Sequence, residues 1–402
     1  MKRLLLLGPV PDRSAVGGLP LALANLATEL RRLGWQVDAP VFTAPAPTIV
    51  AAPGPIAALQ RSRWFLRARH AIPAGLRRTL SALLWSSEVR EGMARNLRWA
   101  EEQLAQPARY DVVLVCPDVN VPGILALALH RHPNVAVLSL FALAEELRPQ
   151  LWTLLRRPTL HPFYFRPARA EQIRCAIFAS ERWRQQALAA GLAPAVAHTI
   201  YFGIPVGPQP SRPSPPGQRL LWVGRLTPEK GLHHLLLALP ALRRDFPSLT
   251  LTAVAGEGEP AYRRHIEAII ENQGLSSFVH LHPPVPRDAL PALYASHDAL
   301  FFYSVFEEPV ALVLMEAYAN GIPVVANHVE GSELVHDGQN CRTCQPADPR
   351  SVAAAFQQLL QETASTVELS SRARALVESK YSLSAMGEAY DRLLAIEYPR
   401  NS

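Results

Sequence analysis

Short unbroken apolar runs alternate with helical stretches twice along this chain, and no other feature constrains its fold as much. Residues 4–7 form the first run, Gly17 and Gly18 follow in a loop, and residues 19–33 place apolar side chains at helical spacing. Gly34 ends that helix and residues 36–39 open the next strand. A strand, a glycine loop, a helix and another strand make up the repeating unit of doubly wound sheets. Runs at 111–116, 135–140, 176–180 and 199–202 read as further strands of the same half. Residues 207–217 are rich in Pro and Ser, have no apolar period, and read as a linker. Beyond them, strands near 220–223, 250–254, 279–281, 299–303 and 323–326 again alternate with helical stretches. The expectation is an α/β chain of two doubly wound halves joined by a hinge. Ligands then lie in the crevice at the strand C-termini. The expected boundaries are 1–204 for the first domain, 205–217 for the linker, 218–381 for the second domain and 382–402 for a C-terminal helix.

Composition bounds the class. With 402 residues, 49% of them hydrophobic, the chain can fill two cores and is not disordered. No apolar run reaches the roughly 18 residues that span a bilayer. The start, Met1 to Leu7, imitates a signal peptide, but its apolar run is short and Gly8 and Pro9 end it, so a buried first strand is expected. Four cysteines provide no disulfide framework for a chain of this size, which predicts a reducing cytoplasm. Cys341 and Cys344 form a lone CxxC without a second pair, and no histidine has metal-ligand spacing, so no metal is expected. Charge is divided unevenly, with a net of +11 over residues 1–204 and −5 over 205–402. The basic half is expected to face something anionic.

Two carboxylates then suggest a chemistry. Glu308 and Glu316 bracket an apolar stretch that opens with Pro309 and is followed by Gly321 and Pro323, a pattern of helix entry, exit and stop. If most of that segment is helical, the two acids lie about 12 Å apart along the axis. That is the scale of a nucleotide-sugar, with the helix N-terminus offering amides to a diphosphate. Taken alone, the pair reads better as two solvated glutamates on an ordinary helix. Residues 220–231 change the balance. They form a strand, a turn and a helix start, with Arg225 and Lys230 flanking the turn. Arg donates as a fork and Lys acts as a point charge, and both suit phosphate. The only lysines are Lys2, Lys230 and Lys380, so a lysine inside this turn runs against the chain's own habit.

These segments, with Ala255-Gly256-Glu257-Gly258, Tyr303 to Pro309, Gly321 to Ala326 and the turn at Asp337-Gly338, make the chain resemble the retaining glycosyltransferases of family 4, the glycosyl transferases group 1. The resemblance is strong in the C-terminal half and thinner in the N-terminal half. It implies a GT-B fold, two Rossmann-like domains facing across a cleft, with an N-terminal acceptor domain and a C-terminal nucleotide-sugar-binding domain. It also implies a terminal helix that crosses back to the N-terminal domain. The implied reaction is a metal-independent hexosyl transfer from a nucleotide-diphosphate sugar with retention of configuration. No cofactor is expected, since the nucleotide-sugar is a substrate. Arg225 and Lys230 would hold the diphosphate, and Leu312 and Val313 would add backbone amides. Glu316 would bind ribose and Glu308 would position the transferred sugar. Gly17, Gly18, Gly224 and Gly256 would let backbone approach the donor.

The chain departs from the family's pattern at three places. Val310-Ala311 stands where Phe-Gly is common, and Pro283 where Gly is frequent. The N-terminal histidine of many members has no counterpart. The matching positions are Cys116 and Phe141, with Asp118 nearby, and these three are the acceptor-side candidates. This leaves open an alternative: a catalytically impaired GT-B-like nucleotide-binding or scaffold protein. Residues 56–103 and 152–169 mix arginines with tryptophans. They read either as helices with solvated Arg and core Trp, or as a contact with an anionic membrane surface on the inner face, near a glycan or lipid-linked acceptor. No base-reading module is recognisable, so nucleic acid is not an expected partner.

Overall fold

A computed structural model of the chain describes residues 2–8, 18–39, 97–106, 109–116, 123–139, 170–210, 217–256, 258–305, 311–328 and 332–399. The chain divides into two compact units, residues 1–202 with 386–402, and residues 203–385.

The first unit carries β1 (Arg3–Leu7), α1 (Gly18–Arg32), β2 (Gln36–Asp38), β3 (Val112–Val115), α2 (Ile124–Arg131), β4 (Val135–Ser139), β5 (Cys175–Phe178), α3 (Glu181–Ala189) and β6 (Ala197–Thr199). Among the described residues its six strands run in the order β2-β1-β3-β4-β5-β6, and every neighbouring pair is parallel. Leu4 to Leu7 pair with Val112 to Val115, and all eight side chains are buried. Parallel sheets are covered on both faces, which explains why these strands appear in the sequence as continuous apolar runs rather than alternations.

The second unit follows with β7 (Arg219–Arg225), α4 (Leu232–Asp245), β8 (Thr250–Gly256), α5 (Pro260–Asn272), β9 (Val279–His282), α6 (Leu290–Ser296), β10 (Ala299–Phe302), α7 (Leu312–Ala319), β11 (Val324–Asn327), β12 (Arg342–Cys344), α8 (Pro349–Gln361) and α9 (Thr363–Lys380). Its order is β12-β11-β10-β7-β8-β9, again parallel throughout. Trp222, Leu235, Leu239, Phe301 and Phe356 lie in one continuous core formed by β7, β10, α4 and α8. The last helix, α10 (Leu383–Glu397), begins in the second unit, and from Met386 onward it belongs to the first. There Trp35 Nε1 donates to Asp391 at 2.8 Å and the Tyr398 hydroxyl donates to the Val135 carbonyl at 2.8 Å. The strand ends differ from the sequence expectation by up to three residues, most at β6, expected at 199–202 and found at Ala197–Thr199.

Candidate active site

Numbered from its own first strand, the second sheet has the strand order of a mononucleotide-binding doubly wound fold, and the order reverses between β7 and β10. Ligands of such sheets sit outside the carboxyl ends of the strands at that reversal. Arg225 ends β7, and Tyr303 and Ser304 follow β10. The Arg225–Lys230 turn and residues Tyr303 to Val305 therefore emerge side by side at the reversal point.

Backbone bonds lock this corner. Thr227 N–H donates to Arg225 O at 2.9 Å and Lys230 N–H to Thr227 O at 3.0 Å, so Pro228 to Lys230 close as one tight helical turn. Trp222 Nε1 reaches from β7 to donate to the Lys230 carbonyl at 3.0 Å. Across the reversal, Val305 N–H donates to Glu229 O at 3.2 Å. Asn327, at the end of β11, accepts from Ser304 N–H and donates to Ser304 O, both at 2.9 Å, fixing the backbone where β10 ends. Gly231 turns the chain into α4 with φ +64, and a Cβ there would overlap the Tyr303 ring. Gly231→Ala is expected to destabilise the second unit by about 2–3 kcal/mol, through left-handed strain plus ring displacement. A thermal midpoint unchanged from wild type would contradict this.

Arg225 projects outward with 63% of its side chain exposed, 3.5 Å from Glu229, while Lys230 is half-buried. In α7, Met315 N–H donates to Ala311 O at 3.0 Å, so the Leu312 and Val313 amides have no partner within the helix. Glu316 lies one turn further on and is 15% exposed. One carboxylate oxygen accepts from Arg287 and the other from the Tyr294 hydroxyl at 3.1 Å. Burial raises the Glu316 pKa, opposed by the Arg287 charge and the bonds from Tyr294 and Arg287. Tyr294 is fully buried, and burial together with the neighbouring carboxylate pushes its hydroxyl well above its ordinary value.

The second unit thus brings Arg225, Lys230, Leu312, Val313 and Glu316 to one end of one sheet, with Gly224 and Gly256 in paired strands beside them. Glu308, Gly17, Asp118 and Phe141 lie outside the described residues. So does most of the Arg/Trp-rich sequence, of which Arg98 is exposed and Trp99 half-buried in the helical residues 97–103. In the first unit, Gly18 opens α1 and Cys116 sits buried at the end of β3, its amide donating to Leu7 O at 2.8 Å. One expectation is corrected. The helix expected from Pro309 starts at Leu312, because Ala311 has a non-helical ψ of 69.

Arg287 and Tyr294 were not anticipated. Neither carries a local motif, and what links them to Glu316 is the packing of three separate elements. Cys341 and Cys344 are buried, and burial raises their thiols to about 11 and about 12, so neither is a thiolate near neutrality. Among the described residues no helix is long and apolar enough to cross a membrane, and no cluster of three or more His, Cys, Asp or Glu side chains could hold a metal ion.

Residues 217–362 match the family model "Glycosyl transferases group 1". This segment is similar to a glycosyl transferases group 1 domain. The matched segment contains Gly224, Arg225, Lys230, Gly256, Leu312, Val313 and Glu316. Over 178 residues the chain is 35% identical to a glycogen synthase of Mycobacterium tuberculosis, covering 42% of this chain and 40% of that protein. Over 165 residues it is 33% identical to an uncharacterized glycosyltransferase of Methanocaldococcus jannaschii, covering 40% and 41%. The chain thus spans about two fifths of the length of these curated relatives. Solved structures extend the likeness beyond the group 1 domain. HepE of Anabaena in complex with UDP-glucose superposes with a TM-score of 0.64 at 21% identity, covering 98% of this chain and all of that one. Sucrose-phosphate synthase of Thermosynechococcus elongatus gives 0.63 at 21%, with the same coverage. At that identity the likeness concerns the fold, which is GT-B, with a Rossmann-like sheet in each unit.

Proposed function

We propose that this chain is a glycosyltransferase that moves a hexose from a nucleotide-diphosphate sugar to a glycan or lipid-linked acceptor, with retention of configuration and without a metal. The observation that carries this reading is the placement of Arg225 and Lys230 after β7 and of α7, with Glu316, after β10, the two neighbouring strands at which the sheet order reverses in the segment matched to glycosyl transferases group 1. A diphosphate there would meet two cations and the amides of Leu312 and Val313, which have no partner within the helix. As the bond from the anomeric carbon to the diphosphate oxygen breaks, negative charge grows on the departing nucleotide. Preorganised donors are worth most where charge develops in this way. Glu316 accepts from the ribose hydroxyls and Glu308 positions the sugar, while Gly17, Gly18, Gly224 and Gly256 keep side chains clear of the donor. Cys116, Asp118 and Phe141 belong to the acceptor side. The glycogen synthase and sucrose-phosphate synthase likenesses support sugar transfer, and the HepE complex supports a nucleotide-sugar donor. The net charge of +11 over residues 1–204 supports an anionic acceptor environment, such as the inner face of a membrane.

The test is isothermal titration with UDP, GDP and ADP, followed by turnover of the corresponding hexose conjugates. One nucleotide is expected to bind and its conjugate to be consumed with retained anomeric configuration. Folded protein that binds none of the three would remove the donor assignment. Binding without transfer or hydrolysis of any conjugate would favour the impaired, scaffold-like alternative.

A further inference from the structure

Glu316 is held more tightly than a ribose-facing carboxylate needs for exposure alone. Three elements converge on it. Arg287, in the turn before α6, donates to Oε1, Tyr294 on α6 donates to Oε2, and Glu316 itself is carried by α7. The Tyr294 ring is fully buried and the Glu316 side chain nearly so, whereas Arg287 is about half exposed. A carboxylate offers about four acceptor sites, two on each oxygen. Among the described residues Arg287 and Tyr294 use one on each, which leaves each oxygen a further site for an incoming hydroxyl. Both existing donors come from rigid secondary structure or its immediate flank, which fixes the carboxylate plane. Burial raises the Glu316 pKa, and the Arg287 charge opposes that rise and so favours the ionised, acceptor-only form.

We propose that Arg287 and Tyr294 are positioning residues that orient Glu316 to accept one hydrogen bond on each carboxylate oxygen from the vicinal 2′- and 3′-hydroxyls of the donor ribose, so that this triad sets the preference for ribose over 2′-deoxyribose. The inference rests on the donor site proposed above. A purely structural ion pair between α7 and the turn before α6 would contribute to stability and leave that preference alone.

The experiment compares binding of UDP, GDP and ADP with that of their 2′-deoxy counterparts by titration calorimetry. Wild type is expected to favour the ribose form of its nucleotide by about tenfold or more, the scale of a hydrogen bond to a charged group. Arg287→Ala and Tyr294→Phe are expected to bring that ratio close to one by weakening the ribose form, with the deoxy form little changed. Arg287→Lys should restore part of the ratio, since it returns the charge without the fork. With a turned-over donor the loss should appear in KM rather than kcat. Arg287 is half exposed, so its variant is expected to fold and serves as a control for the buried Tyr294 change. If Arg287→Ala leaves the ratio intact, or wild type binds a nucleotide with no ribose preference, the triad proposal fails while the donor site stands. If wild type binds none of the diphosphates, the donor site fails and takes this inference with it.

Discussion

Lys230→Ala is expected to lower kcat/KM for the donor by about two to three orders of magnitude, the largest effect of any single substitution on activity. Two cations serve the same turn, and their surroundings differ. Arg225 is 63% exposed and 3.5 Å from Glu229, so water and a neighbouring carboxylate both dilute its field. Lys230 is half-buried at the end of the turn, directly before Gly231 and the start of α4. A point charge in a partly desolvated position gains more from charge developing on a leaving diphosphate than an exposed one does. Arg225→Ala should therefore lose about tenfold less than Lys230→Ala. Lys230→Arg should recover little, because a planar fork does not fit where a compact ammonium sits. The bond from Trp222 to the Lys230 carbonyl is made by the backbone and survives the substitution, so the turn should persist. The measurement is steady-state turnover of the nucleotide-sugar, with circular dichroism to check folding. A Lys230→Ala enzyme within about threefold of wild type would remove Lys230 from the electrostatic role.

Much of this arrangement was legible in the amino-acid order. The strands were, because a parallel sheet covered on both faces needs unbroken apolar runs, and Leu4 to Leu7, Val112 to Val115 and Leu220 to Trp222 are such runs. The Arg225–Lys230 turn was legible for a local reason. Strand, turn and helix are contiguous there, so spacing along the chain translates directly into spacing in space. The start of α7 was not, since Pro309 and Val310 satisfy the rules of helix entry while Ala311 adopts a non-helical ψ that no propensity specifies. The partners of Glu316 were hidden for a deeper reason. Arg287 lies 29 residues away and Tyr294 22 residues away, and their meeting depends on where α6 and the turn before it lie relative to α7. A chain read one segment at a time shows which elements form, but not which side chains face each other between them.

The same limit concealed the residue whose loss should most weaken the second unit. Arg374→Ala is expected to destabilise it by about 3–4 kcal/mol, the range for removing a buried, fully engaged charge. Arg374 lies on α9 with 8% of its surface exposed. Its Nη1 donates to the carbonyl of Ala319, the last residue of α7, and its Nη2 donates to the Gly207 carbonyl at 2.7 Å. Nε donates to Glu378 one turn along α9 at 2.8 Å. The final carbonyls of any helix lack partners within it, and a cation at that end also complements the helix dipole. Arg374 therefore caps the helix that carries Leu312, Val313 and Glu316, and the same guanidinium fastens the chain at Gly207. Alanine would leave the Ala319 carbonyl without this donor in a buried setting and open a cavity along α9. Gly207 is exposed, so water can replace the lost bond there and limits the loss. For a unit of this size the change corresponds to a fall of about 6–15 °C in the melting temperature. Arg374→Lys should recover less than half of that, because one ammonium does not span both carbonyls. Calorimetric scans of the three proteins check the order wild type, Lys, Ala. A shift below about 2 °C for Arg374→Ala would mean that the cap contributes little and that α7 is held by its apolar face alone.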